Sequence, residues 1–135
     1  MKQELEQKLF DDFPNLYRDH ERCFECGDGW YELLRSLSEK LEPLVLQMSD
    51  SYRKFFKVGC VKEKFGGLRF DCDYESSFDN FLAQRMEAFI ADATTASLKT
   101  CEGCGVPATL RAKGWLRVTC DACENERNKR TWHEK

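Results

Sequence analysis

The sequence predicts an α+β fold in which helices pack on a β-hairpin and a small cysteine-rich ribbon follows. Three observations carry this prediction. Trp30, Leu33, Leu34, Leu37 and Leu41 recur at the three- and four-residue spacing of one helix face. Residues 56–74 alternate instead, around a glycine pair, as a hairpin does. Residues 101–123 hold two C-x-x-C pairs separated by fifteen residues, the layout of a metal ribbon.

The elements follow in order. Leu5 and Leu9 stand four apart among charged residues, predicting a short amphipathic helix over residues 2–10 that stops at Phe13-Pro14. Tyr17 to Gly29 reads as a loop, with Asp28 placed to cap the helix over 30–42 and Pro43 to end it. Leu44 to Phe55 gives no clear period and allows a second short helix. Phe56 to Lys62 and Leu68 to Cys72 form the two strands, with Gly66-Gly67 supplying the positive φ angles of a tight turn and Leu68, Phe70 and Cys72 facing the core. Ser76 and Ser77 offer caps for a helix of about 20 residues, whose stripe runs Phe78, Phe81, Leu82, Arg85, Met86, Phe89, Ile90 and Ala93. Within the ribbon, Ala108 to Ala112 and Trp115 to Thr119 are short strands reversing at Lys113-Gly114. Two units are expected: an α+β body over 1–99, then over 100–135 the ribbon with its basic tail.

Composition narrows the class. At 135 residues, 41% hydrophobic and 13% aromatic, the chain has enough apolar mass for a packed core. No apolar run approaches the ~20 residues that span a bilayer, and the polar start Met1-Lys2-Gln3-Glu4 is unlike a signal peptide. A cytoplasmic protein with no membrane partner is expected. The net charge of −3 is uneven: residues 99–135 hold eight Lys/Arg against five Asp/Glu, and residues 1–98 hold 13 against 19. An acidic body argues against a general polyanion binder, whereas the basic ribbon leaves room for a local nucleic-acid contact.

In a reducing compartment the eight cysteines read as metal ligands before disulfides. Random placement would give about half of one C-x-x-C pair; three occur. Cys101, Cys104, Cys120 and Cys123 predict a C-terminal four-cysteine zinc ribbon. Two facing turns bring four thiolates to one tetrahedral Zn²⁺, and Gly105 lets the backbone curl beneath it. Four sulfurs close the coordination sphere, so one structural ion is expected. Disulfides and an iron–sulfur cluster are the competing readings. Cys23-Phe24-Glu25-Cys26-Gly27 is shaped like half of another knuckle, which His20, or Cys60 and Cys72, would complete as a second metal site. Otherwise Cys60 and Cys72 serve as small buried hydrophobes.

Catalytic signatures are missing. His20-Glu21-Arg22 lacks the deaminase pattern, neither His20 nor His133 is placed as a nuclease base, and no P-loop, H-E-x-x-H or G-x-S-x-G occurs. Asp71, Asp73, Glu75 and Asp79 form an acidic run that reads as a solvated strand-to-helix connection, with a divalent-ion site as the alternative. The expectation is a protein that is not an enzyme, with a metal-dependent nuclease as the weakest alternative.

Three segments, Phe24-Glu25-Cys26-Gly27-Asp28-Gly29-Trp30-Tyr31, then Val61 to Phe70 (VKEKFGGLRF), then the ribbon with Gly114-Trp115-Leu116-Arg117, together resemble a family of small zinc-ribbon proteins encoded by bacteriophages, prophages and bacteria. The likeness spans roughly residues 23–123. It implies a mobile-element setting and one compact unit, and it brings no established activity. The functional expectation is a non-catalytic module that binds and modulates a host protein, such as a defence or transcription component, in the bacterial cytoplasm. The alternative is DNA or RNA binding through Arg111, Lys113, Arg117, Arg127, Lys129 and Arg130, with Trp115 and Trp132 to stack on bases. On the body, Lys62, Lys64 and Arg69 are the candidates for contact with an anionic partner.

Overall fold

The computed structural model describes residues 1–18, 24–75 and 79–133, the last three without side-chain detail. It is a mixed helix and sheet protein. Its elements are α1 (Gln3–Asp12), a 3-10 turn (Asp28–Trp30), α2 (Tyr31–Leu46), α3 (Asp50–Arg53), β1 (Lys57–Lys64), β2 (Gly67–Asp73), α4 (Asn80–Ser97), β3 (Thr109–Arg111), β4 (Arg117–Thr119) and α5 (Asp121–His133). β1 pairs antiparallel with β2, and β3 with β4, as two separate hairpins.

The core forms where the apolar stripes of α2 and α4 meet the inner face of the first hairpin. Leu34, Leu37, Leu41, Leu44 and Val45 of α2 are buried, as are Leu82, Met86, Ile90 and Ala93 of α4 and Val58, Val61, Leu68 and Phe70 of the hairpin. Polar ties fix the contact: the Leu68 N–H donates to Ser97 Oγ (2.8 Å), and the Thr94 hydroxyl donates to the Leu68 carbonyl (3.1 Å). Phe10, Tyr17 and Phe24 add an aromatic trio with centroids 5.5–5.8 Å apart. Tyr17 also shares a 2.7 Å hydrogen bond with buried Ser38.

Several local expectations change. α2 runs through Pro43 to Leu46 instead of stopping. Proline removes the bond to the Glu39 carbonyl, but Glu39 is solvent-exposed, and burial of Leu44 and Val45 outweighs the loss. Asp28 does not cap that helix; its carboxylate accepts the Lys2 N–H (2.8 Å). The expected caps Ser76 and Ser77, with Phe78, lie outside the described residues, and the capping side chain of α4 is Asp79, accepting from Phe81 and Leu82. Phe81 falls off the buried stripe and is 68% exposed. The ambiguous stretch before the hairpin holds the end of α2 and then the second short helix the sequence allows, the four-residue α3.

In the first hairpin Val58 faces Cys72 and Val61 faces Phe70, so the register shifts between them. Two buried valines three residues apart cannot share a face of a regular strand. The bulge at Gly59-Cys60 absorbs the extra residue and keeps both inward. The tight turn spans Phe65-Gly66, with φ of 55° and 88°. A non-glycine residue, rather than Gly67, therefore takes the first left-handed position.

Candidate metal centre and the surface around it

The ribbon begins as α4 ends. The Cys101 N–H donates to the Val106 carbonyl (2.8 Å) and the Gly105 N–H to the Cys101 carbonyl (2.9 Å), closing the first knuckle over Gly105 at φ 87°. Only a residue without Cβ takes that angle cheaply, as expected for a backbone curling beneath a metal. β3 and β4 then carry the chain across and back, with Lys113-Gly114 at the reversal and Gly114 at φ 79°. The second knuckle starts α5, where the Cys123 N–H donates to Cys120 Sγ (3.4 Å) and the Glu124 N–H to the Cys120 carbonyl (2.9 Å).

The sulfur atoms of Cys101, Cys104, Cys120 and Cys123 all lie within 4.8 Å of one another. Cys104 Sγ and Cys120 Sγ are 3.6 Å apart, far beyond a disulfide bond of ~2.05 Å. A tetrahedron with metal–sulfur bonds of ~2.3 Å has sulfurs about 3.8 Å apart, so the donor set fits a four-thiolate ion. Its electrostatics point the same way. Burial and hydrogen bonding to the neighbouring sulfurs push the Cys123 thiol up to about 12. Burial also opposes ionisation of Cys101, but hydrogen bonds, led by those with the Cys120, Cys104 and Gly103 backbone, bring it down to about 6. Sulfurs this close resist ionising together, and a cation removes that conflict.

The second expected site is not assembled by its described members. Among the described residues the ribbon's four cysteines are the one cluster with metal-ligating geometry. Cys23 and His20 lie outside the described residues. Cys26 is buried in the core, and burial, with the Glu102 carboxylate, pushes its thiol up to about 12. Cys72 faces Val58 across the hairpin, where burial and Glu87 also raise its pKa, while Cys60 sits in the bulge.

The loop ahead of α2 docks on the first knuckle. The Gly29 N–H donates to the Glu102 carbonyl (2.8 Å), the Gly27 N–H to the Glu102 carboxylate (2.9 Å), and the indole N–H of fully buried Trp30 to the Thr100 carbonyl (3.0 Å). A Cβ on Gly29 would collide with the Cys101 carbonyl and come within 2.6 Å of the Glu102 carbonyl oxygen and the Gly105 nitrogen. This close backbone approach is what the two glycines of Cys26-Gly27-Asp28-Gly29-Trp30 permit. The Glu25 main chain also pairs with β1, donating to Val61 (2.9 Å) and accepting from Glu63 (3.1 Å). Gly66 at the hairpin tip lies against Leu110 of β3 and Arg117 of β4.

The basic candidates separate into two groups. Arg117 is internal: its guanidinium pairs with Glu124 through two nitrogens and donates to the carbonyls of Lys113 (3.1 Å) and Trp115 (2.7 Å). Arg111 donates to Thr119 (3.0 Å) and Asp121 (2.7 Å), and Arg69 pairs with Asp71 (2.9 Å). Arg127 stands 3.9 Å from Glu124. Glu124 is buried and also accepts the Thr119 hydroxyl (2.6 Å), and the hydrogen-bonded Arg117 guanidinium holds its carboxyl down to about 2. Arg111, Arg117, Thr119 and Glu124 bind α5 to the ribbon strands. Among the described residues no carboxylate pairs with Lys62, Lys64, Lys113, Lys129 or Arg130, although Lys64 lies over the Phe65 ring (5.6 Å). Sequence reasoning missed Glu124, because one of three glutamates in a charged tail gives no sign of facing three arginines. The tail itself is helix α5; the side chain of Trp132 lies outside the described detail.

The two tips leave large rings in solvent: Phe65 is 72% exposed and Trp115 75%. Between them lies a groove of about 570 Å³ lined by Lys62, Lys64, Phe65, Gly114, Trp115 and Leu116, together with Glu25 and Glu63. Fold and site together define a small mixed helix and sheet protein with a four-cysteine cluster of metal-ligating geometry docked on its body. No family model, curated protein or solved structure matches this chain. No helix among the described residues is long and apolar enough to cross a membrane.

Proposed function

We propose that the chain is a non-catalytic interaction module, stapled by one structural Zn²⁺, that binds and modulates a host protein in the cytoplasm of a bacterium. The resemblance of its motifs to phage and prophage ribbon proteins supports a mobile-element origin and a defence or transcription component as the target. Zinc is favoured because four thiolates in a ribbon suit a tetrahedral d¹⁰ ion, and their closed set leaves no position for a substrate or an activated water. The observation that carries the reading is the pair of solvent-exposed rings, Phe65 and Trp115, on adjoining turns around a groove. Aromatic residues with a charged rim are the anatomy of a protein interface.

Elemental analysis of the purified protein should find one zinc per chain. Purification from host lysate should recover a stoichiometric protein, lost with Trp115→Ala; recovery unchanged by that substitution, or no partner, counts against the module. A second reading, nucleic-acid binding, is supported by exposed Lys113, Lys129 and Arg130, of which Arg130 lines a hollow with Trp115. It requires a salt-sensitive shift with DNA or RNA, and no shift at low salt removes it.

A further inference from the structure

We propose that the groove between the two tips receives an acidic segment of a partner protein that also carries a bulky apolar side chain. The inference rests on the protein-binding reading above and names the chemistry of the partner.

The groove has two parts. The first, about 570 Å³, has apolar walls from Phe65, Trp115 and Leu116 and a rim of Lys62 and Lys64. Its volume lies in the range of sites that enclose a ligand group. Glu63, Trp115 and Leu116 continue into a second hollow of about 330 Å³, lined also by Arg127 and Arg130. An extended peptide advances about 3.3 Å per residue with alternate side chains on one face. One strand-like segment therefore presents an apolar anchor to the first hollow and a carboxylate to the second.

The charges favour a peptide over a nucleic acid. Exposed Glu25 and half-buried Glu63 and Glu102 also line the two hollows, a lining hostile to a run of phosphates. Glu63 and Glu102 are held inward, accepting the N–H groups of Gly66 (2.7 Å) and Gly27 (2.9 Å). Arg111 and Arg117, which a phosphate tracker would want, are committed to Asp121 and Glu124. What remains outward is a sparse set of cations, Lys62, Lys64 and Arg130, set beside the exposed Glu25, a spacing matched to isolated side-chain carboxylates and not to a run of charge. The Phe65 ring adds an independent sign. It is held in solvent on a left-handed backbone that Asn or Gly would adopt more easily, and such local conflict is characteristic of binding sites.

The test is selection of a random displayed peptide library on the purified full chain. Enriched peptides should share a Leu, Phe or Trp anchor flanked by Asp or Glu. Trp115→Ala and Arg130→Glu, both at exposed positions, should each weaken them about tenfold or more, and replacing the peptides' acids with lysine should abolish binding. Phe65→Asn should weaken binding while the protein still unfolds cooperatively within a few degrees of wild type, separating loss of the ring from misfolding. No enrichment, or peptides indifferent to Trp115→Ala, overturns the proposal. Trp115-dependent peptides without acidic bias overturn the acidic chemistry and leave the protein-binding module standing. A labelled thymidine oligonucleotide bound more tightly than any selected peptide overturns both.

Discussion

Phe65 allows backbone strain and side-chain contact to be measured separately. Its φ of 55° puts an L-residue with a Cβ in the left-handed region, at roughly 1–2 kcal/mol. The ring is 72% exposed, so truncation forfeits about a quarter of a phenylalanine's burial, or about 0.5 kcal/mol. The Lys64 contact at 5.6 Å adds about 0.5 kcal/mol at an exposed site. Phe65→Ala and Phe65→Asn lose both terms equally, but Asn occupies the left-handed region far more readily than Ala. Phe65→Asn should therefore exceed Phe65→Ala by about 1 kcal/mol, or about 3–4 °C in Tm for a chain of this size. Phe65→Gly should fall between them, because relief of strain is offset by a more disordered unfolded chain. Thermal and urea unfolding in metal-replete buffer would measure the order. Equal stability of the Ala and Asn proteins, or a more stable Ala protein, would refute the assignment of strain to this turn.

The remaining predictions concern the metal and its clamps. Cys123→Ser should remove the bound metal while Cys72→Ser leaves the stoichiometry at one ion per chain, read by elemental analysis. Metal removal from the wild type should accelerate hydrogen exchange at the Gly29 amide and the Trp30 indole, since both donate to carbonyls of the first knuckle; unchanged exchange would show the body to be insulated from the ribbon. Gly29→Ala should cost about 3 kcal/mol by urea unfolding, at the upper end of overpacking penalties, because backbone surrounds the new methyl. Glu124→Gln should cost about 2 kcal/mol, less than a fully buried pair because Arg117 retains 16% side-chain exposure, and time-resolved anisotropy should show Trp115 gaining mobility as its brace slackens.

Where one physical effect dominates, the sequence discloses the fold. The α2 stripe and the alternation of β2 rest on periods that burial enforces, and both appear where the period places them, while the two ribbon strands fall within the fifteen-residue spacer between the cysteine pairs. Expectations fail where two effects compete. Pro43 opposes the helix, yet the buried Leu44 and Val45 carry it onward. Val58 and Val61 break alternation, and only a bulge reconciles them. Phe81 has the hydrophobicity for the α4 stripe, but its azimuth on the helix puts it in solvent.

The site was legible to a different depth. Four cysteines with ribbon spacing identify their own cluster, because chelation constrains spacing as strictly as any period. The glycines of the Cys26 to Trp30 loop are marked in the sequence, but their reason is not, since the Cys101 and Glu102 carbonyls they accommodate lie more than 70 residues away. Positive charge was the least legible feature. Arg111 and Arg117 resemble Lys113 and Arg130 in composition, yet two brace α5 and the tip loop while two face solvent. The difference is made by Glu124, which the second knuckle turns inward at the start of α5. The geometry of the four-cysteine cluster thus reaches the groove by a physical route: the Cys120–Cys123 turn orients Glu124, Glu124 holds Arg117, and Arg117 holds the Lys113 and Trp115 carbonyls at the groove's edge. On the reading proposed above, an ion held by the four cysteines would in this way determine whether Trp115 is presented.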